Sequence, residues 1–328
     1  MQKITRVTCF AVLIAFSIVA LSAGAACARG KAEKAGFDFA KTSAFMREME
    51  SRPDFPVSVV LANDYVYSLL ALGETIAPAR KTAVINYFKN AQQKDGGFIS
   101  DKANKSTSLL FTNLALETLG YLNATNAIDS GKVKAFVASL KNTDGGFGFS
   151  KESKISALAT TFYAIRVLKA IGGLDLVDKT KTAEYVKGFE RKDGGFGYVK
   201  GTGVANARNT YMAAYVLNNL GKLDNATRKN AVKFLATTPY LDKKSKDRPE
   251  LDEQLYAVLA LKELKASDKI DKKLALAFLK KIYISVNGGF GPLEGYGSTP
   301  DSTTTGLHIL AEIGKLKAPG PGISVAKK

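Results

Sequence analysis

Apolar residues along this chain recur at helical spacing in a series of stretches that share one frame. From Ser106 to Leu122 the positions Leu116, Leu119 and Leu122 make a continuous stripe fit for burial. The frame returns as Thr161 to Leu168, Thr210 to Leu220, Gln254 to Leu264 and Thr303 to Leu310, and Gly120, Gly221 and Gly314 close three of the stripes. A less regular first copy keeps Tyr65, Ser68, Leu69 and Leu72 in register. Ahead of each stripe stands another helical pattern, as at Ala83 to Lys94, so the chain reads as six helical hairpins.

A tetrapeptide joins the two halves of most hairpins: Asp95-Gly96-Gly97-Phe98, Asp144-Gly145-Gly146-Phe147, Asp193-Gly194-Gly195-Phe196 and Asn287-Gly288-Gly289-Phe290. The intervals are 49, 49 and 94 residues, and the last is twice 47, so a further copy has decayed near Pro239 to Asp242. A fixed period of this length marks a repeat architecture. Two glycines permit a sharp reversal, Asp or Asn bonds its own backbone two residues on, and Phe plugs the turn, which makes the motif a structural latch. No Lys-Ser/Thr follows it, as a phosphate loop requires. Hairpins that expose an apolar face on both sides are best satisfied by closing into a ring, and an array of this kind is one continuous domain.

The pattern of a helix, Asp-Gly-Gly-Phe and then Thr-x-x-Ala-Leu resembles the prenyltransferase/squalene-cyclase repeat, over about residues 44–316. Ala91-Gln92-Gln93-Lys94-Asp95-Gly96-Gly97-Phe98 is its most typical copy, and Arg248-Pro249-Glu250 ahead of Asp252 is similar to the Rab geranylgeranyl transferase β subunit. The resemblance implies an all-α, α6/α6 toroid whose inner helices surround a cavity, with a mouth at their N-terminal ends. It also implies zinc ligands at positions that here carry Asp252, Gln254 and Thr304, of which only the Asp is retained. Gln and Thr are poor partners for zinc, so zinc-dependent prenyl transfer is not expected, while Mg²⁺ remains open. The diphosphate-facing position falls near Asn206 and Arg208, and diphosphate-binding cations fall at Lys246 and Arg248.

Asp252, Glu253 and Asp301 are the candidate catalytic carboxylates. Asp252 and Asp301 read first as caps that complement helix dipoles, and alternatively as facing carboxylates at one mouth that do acid/base work or bind a cation. No Asp-x-Asp-Asp string of a class II cyclase is present. Phe162, Thr210, Tyr211, Gln254, Tyr256 and Thr304 stand at inner-helix starts; aromatic residues at this spacing are mostly core, but in a toroid part of the set must face the cavity, which makes these the candidates for contact with a ligand. His308, mid-helix, reads as a packed side chain.

Both cysteines, Cys9 and Cys27, lie in an N-terminal leader. Lys3 and Arg6 precede an apolar run from Val7 to Leu21, and Ala26-Cys27-Ala28 is a signal-peptidase pattern, so residues 1–28 are expected to be removed on export. Lipidation of Cys27 at a loose lipobox is the alternative anchor. Cleavage would leave no thiol and hence no disulfide or Cys nucleophile. Residues 29–43 read as a charged linker, 44–316 as the toroid and 317–328 as a flexible tail.

The formal charge is +17, and the leader holds two basic residues and no acid, so +15 remains after cleavage. Lysine dominates the excess, which suits a hydrated surface or attraction to an anionic envelope more than nucleic acid. Three roles follow: a toroid whose cavity binds an isoprenoid, another lipid or an extended peptide, an enzyme of prenyl or terpenoid chemistry using the three carboxylates, or an envelope protein that packs against a partner subunit.

Overall fold

The computed structural model describes residues 36–236 and 250–320, which form twelve α-helices in six pairs. The pairs are α1 (Phe39–Arg47) with α2 (Val59–Ala71), α3 (Pro78–Ala91) with α4 (Leu109–Tyr121), and α5 (Ser130–Ser139) with α6 (Leu158–Ala170). They continue as α7 (Lys179–Lys187) with α8 (Ala207–Asn219), α9 (Asn225–Ala236) with α10 (Leu251–Glu263), and α11 (Lys272–Ile282) with α12 (Pro300–Glu312). The even-numbered helices pack each on the next, and α12 packs back on α2, so they close an inner ring. All six inner helices are 13 residues long and are the apolar stripes of the sequence. The all-α, α6/α6 toroid expected from the periodicity and the resemblance is the fold.

The tetrapeptides weld the ring together. In each, the Asp or Asn carboxyl or amide oxygen accepts from the N–H two residues on, at 2.9 Å for Asp144 and 3.1 Å for Asn287. The Phe N–H then donates to a buried threonine hydroxyl in the first turn of the following inner helix: Phe98 to Thr112, Phe147 to Thr161, Phe196 to Thr210 and Phe290 to Thr303, at 3.0–3.2 Å. The first glycine sits against the next outer helix. A Cβ on Gly145, whose φ is +89°, would stand 2.6 Å from the backbone of Lys181 at the start of α7. Gly288 meets Lys41 and Thr42 of α1 in the same way, so the last latch grips the first helix. Three two-stranded hairpins flank latches: β1 (Phe147–Gly148) with β2 (Ser156–Ala157), β3 (Phe196–Val199) with β4 (Thr202–Asn206), and β5 (Tyr283–Ile284) with β6 (Gly289–Phe290).

Ring closure begins earlier in the chain than the hydropathy pattern suggests. The linker read over residues 29–43 is too long, because Asp38 caps α1 by accepting from the Lys41 N–H and the helix starts at Phe39. Phe37 stacks on Phe39 and packs against Tyr283 and Phe290, with centroids 5.2–6.0 Å apart, and Thr42 donates to the Gly288 carbonyl at 2.7 Å. Few apolar residues and many charges hide this segment in the sequence. The decayed latch near Pro239 and the leader lie outside the described residues. No helix among the described residues is long and apolar enough to cross a membrane.

Candidate functional site

Six parallel helices of equal length put equivalent residues at equal depth in the ring. Positions two, six, nine and thirteen of an inner helix share one face, because about 3.6 residues make a turn. On most of the inner helices these positions stay partly exposed while their neighbours are buried, which identifies the stripe facing the lumen. The lining is therefore a stack of layers.

The outermost layer carries Arg208 on α8, Asp252 on α10 and Asp301 on α12, on three adjacent helices, with Val60, Leu110 and Ala159 opposite. The guanidinium of Arg208 lies 5.3 Å over the Tyr256 ring and hydrogen-bonds Tyr163, both one layer deeper. Asp64 of α2 belongs to that deeper layer. It is 4 % exposed, and its Oδ2 has no hydrogen-bond partner. Burial pushes its carboxyl up to about 7, the charge of Asp301 adds to this, and a hydrogen bond with Thr304 opposes it. Asp301, still reached by solvent at the rim, is raised in turn by burial and then by Asp252. The carboxylates of Asp64, Asp301 and Asp252 thus act on one another along α2, α12 and α10.

The middle layer is Tyr67, Glu117, Arg166, Tyr215, Leu259 and His308. Glu117 and Arg166, one repeat apart, form an ion pair, and the guanidinium also lies 5.4 Å over Phe162 and 5.8 Å over Tyr215. On the neighbouring helices α2 and α12, the Tyr67 and His308 rings lie tilted against each other with centroids 4.5 Å apart. Burial, followed by the charges of Arg166 and Lys262, lowers the imidazole to about 4, so His308 is neutral near pH 7. Tyr121, Glu263 and Glu312 line the innermost layer. There a cavity of about 410 Å³ opens between α8, α10 and α12, and runs from Lys262, Lys265 and Glu312 up to Tyr211. Lys262–Glu312 and Asn218–Glu263 contacts, each 2.5 Å, stand at its edge. This cavity opens at the C-terminal ends of the inner helices, whereas the resemblance implies a mouth at their N-terminal ends.

Several candidates have other duties. Thr210 points away from the lumen: it accepts from Phe196 and donates to the Asn206 carbonyl at 2.7 Å, so it belongs to the latch. Gln254 holds the same outward position on α10, buried and with Oε1 unpartnered. Glu253 accepts from the Ala207 N–H at 3.0 Å and so serves the N-terminus of α8, which takes it out of the carboxylate group. Asn206 caps α8 through the Asn209 N–H. Neither Asp252 nor Asp301 is a cap. Glu250 and Thr299 hold the capping positions, and the two aspartates sit in the first turn with their charges on the dipole. Phe162 and Tyr211 flank the lumen within an aromatic cluster, 5.4 Å apart. Lys246 and Arg248 lie outside the described residues.

Asp252, Gln254 and Thr304 do not fit zinc. Thr304 shares its hydroxyl with Ser68 at 2.9 Å and with the Pro300 carbonyl, and Gln254 faces outward. Among the described residues no three His, Cys, Asp or Glu side chains gather as a metal site. Sequence reasoning missed Asp64, Glu117, Arg166 and Tyr67. The available signal was their alignment across repeats: residues 117 and 166 are 49 apart.

A closed double ring with a lined lumen defines an α/α toroid. The chain belongs to the family of the prenyltransferase alpha-alpha toroid domain, whose model matches residues 35–154 and 81–243. Among solved structures it is similar to Candida albicans protein geranylgeranyltransferase-I complexed with GGPP, with TM-score 0.67, 15 % identity, and 81 % of this chain and 88 % of that chain covered. It is also similar to the type II terpene cyclase MstE from Scytonema. One point variant of that cyclase, in complex with geranylgeranyl dihydroxybenzoate, gives TM-score 0.59, 13 % identity, and 88 % and 98 % coverage. Another, in complex with merosterolic acid A, gives 0.59, 12 %, and the same coverage. No curated protein matches the sequence.

Proposed function

We propose that this protein is an exported toroid that binds an amphipathic isoprenoid, or a lipid or extended peptide of similar shape, in its lumen without zinc-dependent prenyl transfer. The observation that carries this reading is the layered lining: tyrosines, Phe162 and His308 offer an apolar, aromatic wall, and Arg208 supplies a cation at the rim. An anionic headgroup at Arg208 with its chain along Tyr256 and Tyr163 matches that order. By the resemblance, Lys246 and Arg248 would bind the same anionic headgroup in this proposal. The solved relatives hold GGPP or a geranylgeranyl substrate, which supports the ligand class. A fluorescent geranylgeranyl diphosphate titrated into the protein is expected to bind, and Arg208→Ala to weaken it about tenfold while leaving the uncharged alcohol nearly unaffected. Equal loss for both ligands, or no binding of either, would remove the proposal.

Asp64 favours a second reading, in which the lumen is catalytic. A carboxylic acid that keeps its proton near pH 7 beside Asp301 can transfer it to a carbon–carbon double bond of a bound chain; the carbocation closes a ring and returns a proton to a carboxylate, so the reaction is an isomerisation. Incubation in D₂O with a geranylgeranyl substrate would place deuterium in a cyclic product. Product made equally by Asp64→Asn would exclude the residue.

A further inference from the structure

Nine large apolar side chains are exposed among the described residues, and their positions are not scattered. Eight lie in the segments that lead into the inner helices or in the first turn of one; Leu176, between α6 and α7, is at the other end. Ile155 and Val204, 76 % and 86 % exposed, stand three residues before α6 and α8, at the same place in consecutive repeats. Phe149, directly after β1, and Tyr198, on β3, are 61 % and 73 % exposed and lie on the opposite arms of the same two hairpins. Tyr296, 56 % exposed, occupies the corresponding connection before α12. Leaving such groups in water forfeits the burial that drives folding, and nothing in local turn geometry requires Phe, Ile, Tyr and Val there.

We propose that the end of the toroid at which the inner helices begin docks on an anionic lipid bilayer, with the hairpin tips entering the interface. Exposed Lys151, Lys154 and Lys200 stand on the same hairpins as the apolar tips; Glu152 pairs with Lys151 at 3.8 Å, and the Lys200 ammonium lies 3.8 Å over the Tyr185 ring. Tyrosine and phenylalanine settle at headgroup depth, and each nearby lysine gains from anionic lipid. The net charge, +17 for the full chain and +15 without the leader, adds a long-range attraction of the same sign. A protein partner is disfavoured by the form of the surface. Protein interfaces bury a contiguous apolar centre depleted in lysine, whereas here two separate hairpins each carry exposed apolar residues on both arms together with lysine. Docking in this pose turns the Arg208, Asp252 and Asp301 rim toward the bilayer. The inference does not depend on what the lumen holds.

The chain contains no tryptophan, so single-tryptophan variants report without background. With vesicles of phosphatidylglycerol and brominated phosphatidylcholine, the emission of Tyr198→Trp and Phe149→Trp is expected to shift blue and be quenched, while Leu176→Trp stays unchanged. This contrast separates docking by the hairpins from tethering by the leader, which would bring vesicles to the protein without burying position 198. Combined Phe149→Ser, Ile155→Ser, Tyr198→Ser and Val204→Ser should reduce quenching of a Tyr296→Trp reporter at limiting lipid by about tenfold or more. Vesicles of phosphatidylcholine alone should bind several-fold more weakly. The proposal is overturned if tryptophans at 149 and 198 remain in water with vesicles bound, if position 176 is quenched equally, if vesicles do not bind, or if only a protein partner alters the emission.

Discussion

At the scale of single residues, the lumen side of an inner helix and its outer side obey opposite demands. Outward threonines serve the latches: Thr161, completely buried, accepts from Phe147 and donates to the Ala157 carbonyl at 2.8 Å. Thr161→Val keeps the shape and strands a buried N–H, so stability should fall by about 1–3 kcal/mol in denaturant unfolding. Inward positions carry titratable groups instead. The Asp64 carboxyl, held near 7 by burial and by Asp301, binds its proton more tightly folded than unfolded. Its contribution is therefore full below the ordinary carboxylate value and is lost as pH rises toward 7. Asp64→Asn should raise the melting temperature at pH 8 and change it little at pH 4. His308 gives the reverse slope, since its imidazole is lowered to about 4: stability present above about 6.5 declines as pH falls toward 4, and His308→Gln should flatten that decline.

Single elements owe their place to the latches. Gly145 and Gly221 both have positive φ, +89° and +69°, but only Gly145 is pressed against the backbone of another helix, while Gly221 faces open space. Gly221→Ala should cost about 1 kcal/mol for the left-handed backbone alone. Gly145→Ala adds the clash with Lys181 and should cost at least twice as much, measured by the shift of the urea midpoint at unchanged slope. The latch was legible in the sequence because its turn chemistry is local: the Asx bond, the positive φ and the apolar plug all lie within four residues. What it grips was not legible. Gly145 contacts a helix that begins more than thirty residues later, and Gly288 contacts one at the opposite end of the chain.

For the whole molecule, closure is the property that makes six marginal hairpins one body. The contacts of Phe37, Thr42 and Lys41 with Tyr283, Gly288 and Ser285 join the first unit to the last. A chain starting at residue 45 should lose that seam and unfold at lower denaturant with a broadened transition, whereas one starting at residue 36 should match the full chain. Inner-helix stripes and repeat spacing foretold the toroid, since periodicity survives without knowledge of partners. The candidate site was read less well. Arg208, Asp252 and Asp301 do share a rim, yet Glu253 and Thr210, each adjacent in sequence to a plausible neighbour, face elsewhere, because one step along a helix turns a side chain by about 100°.

Periodicity, turn chemistry and charge are local or additive quantities, and they alone determined the six hairpins, their latches, the helical class and the basic surface. Depth in the lumen is a relation among six helices. Only the closed ring could set Glu117 against Arg166 and Tyr67 against His308, bury Asp64 beside Asp301, and gather the exposed hairpin tips at one end.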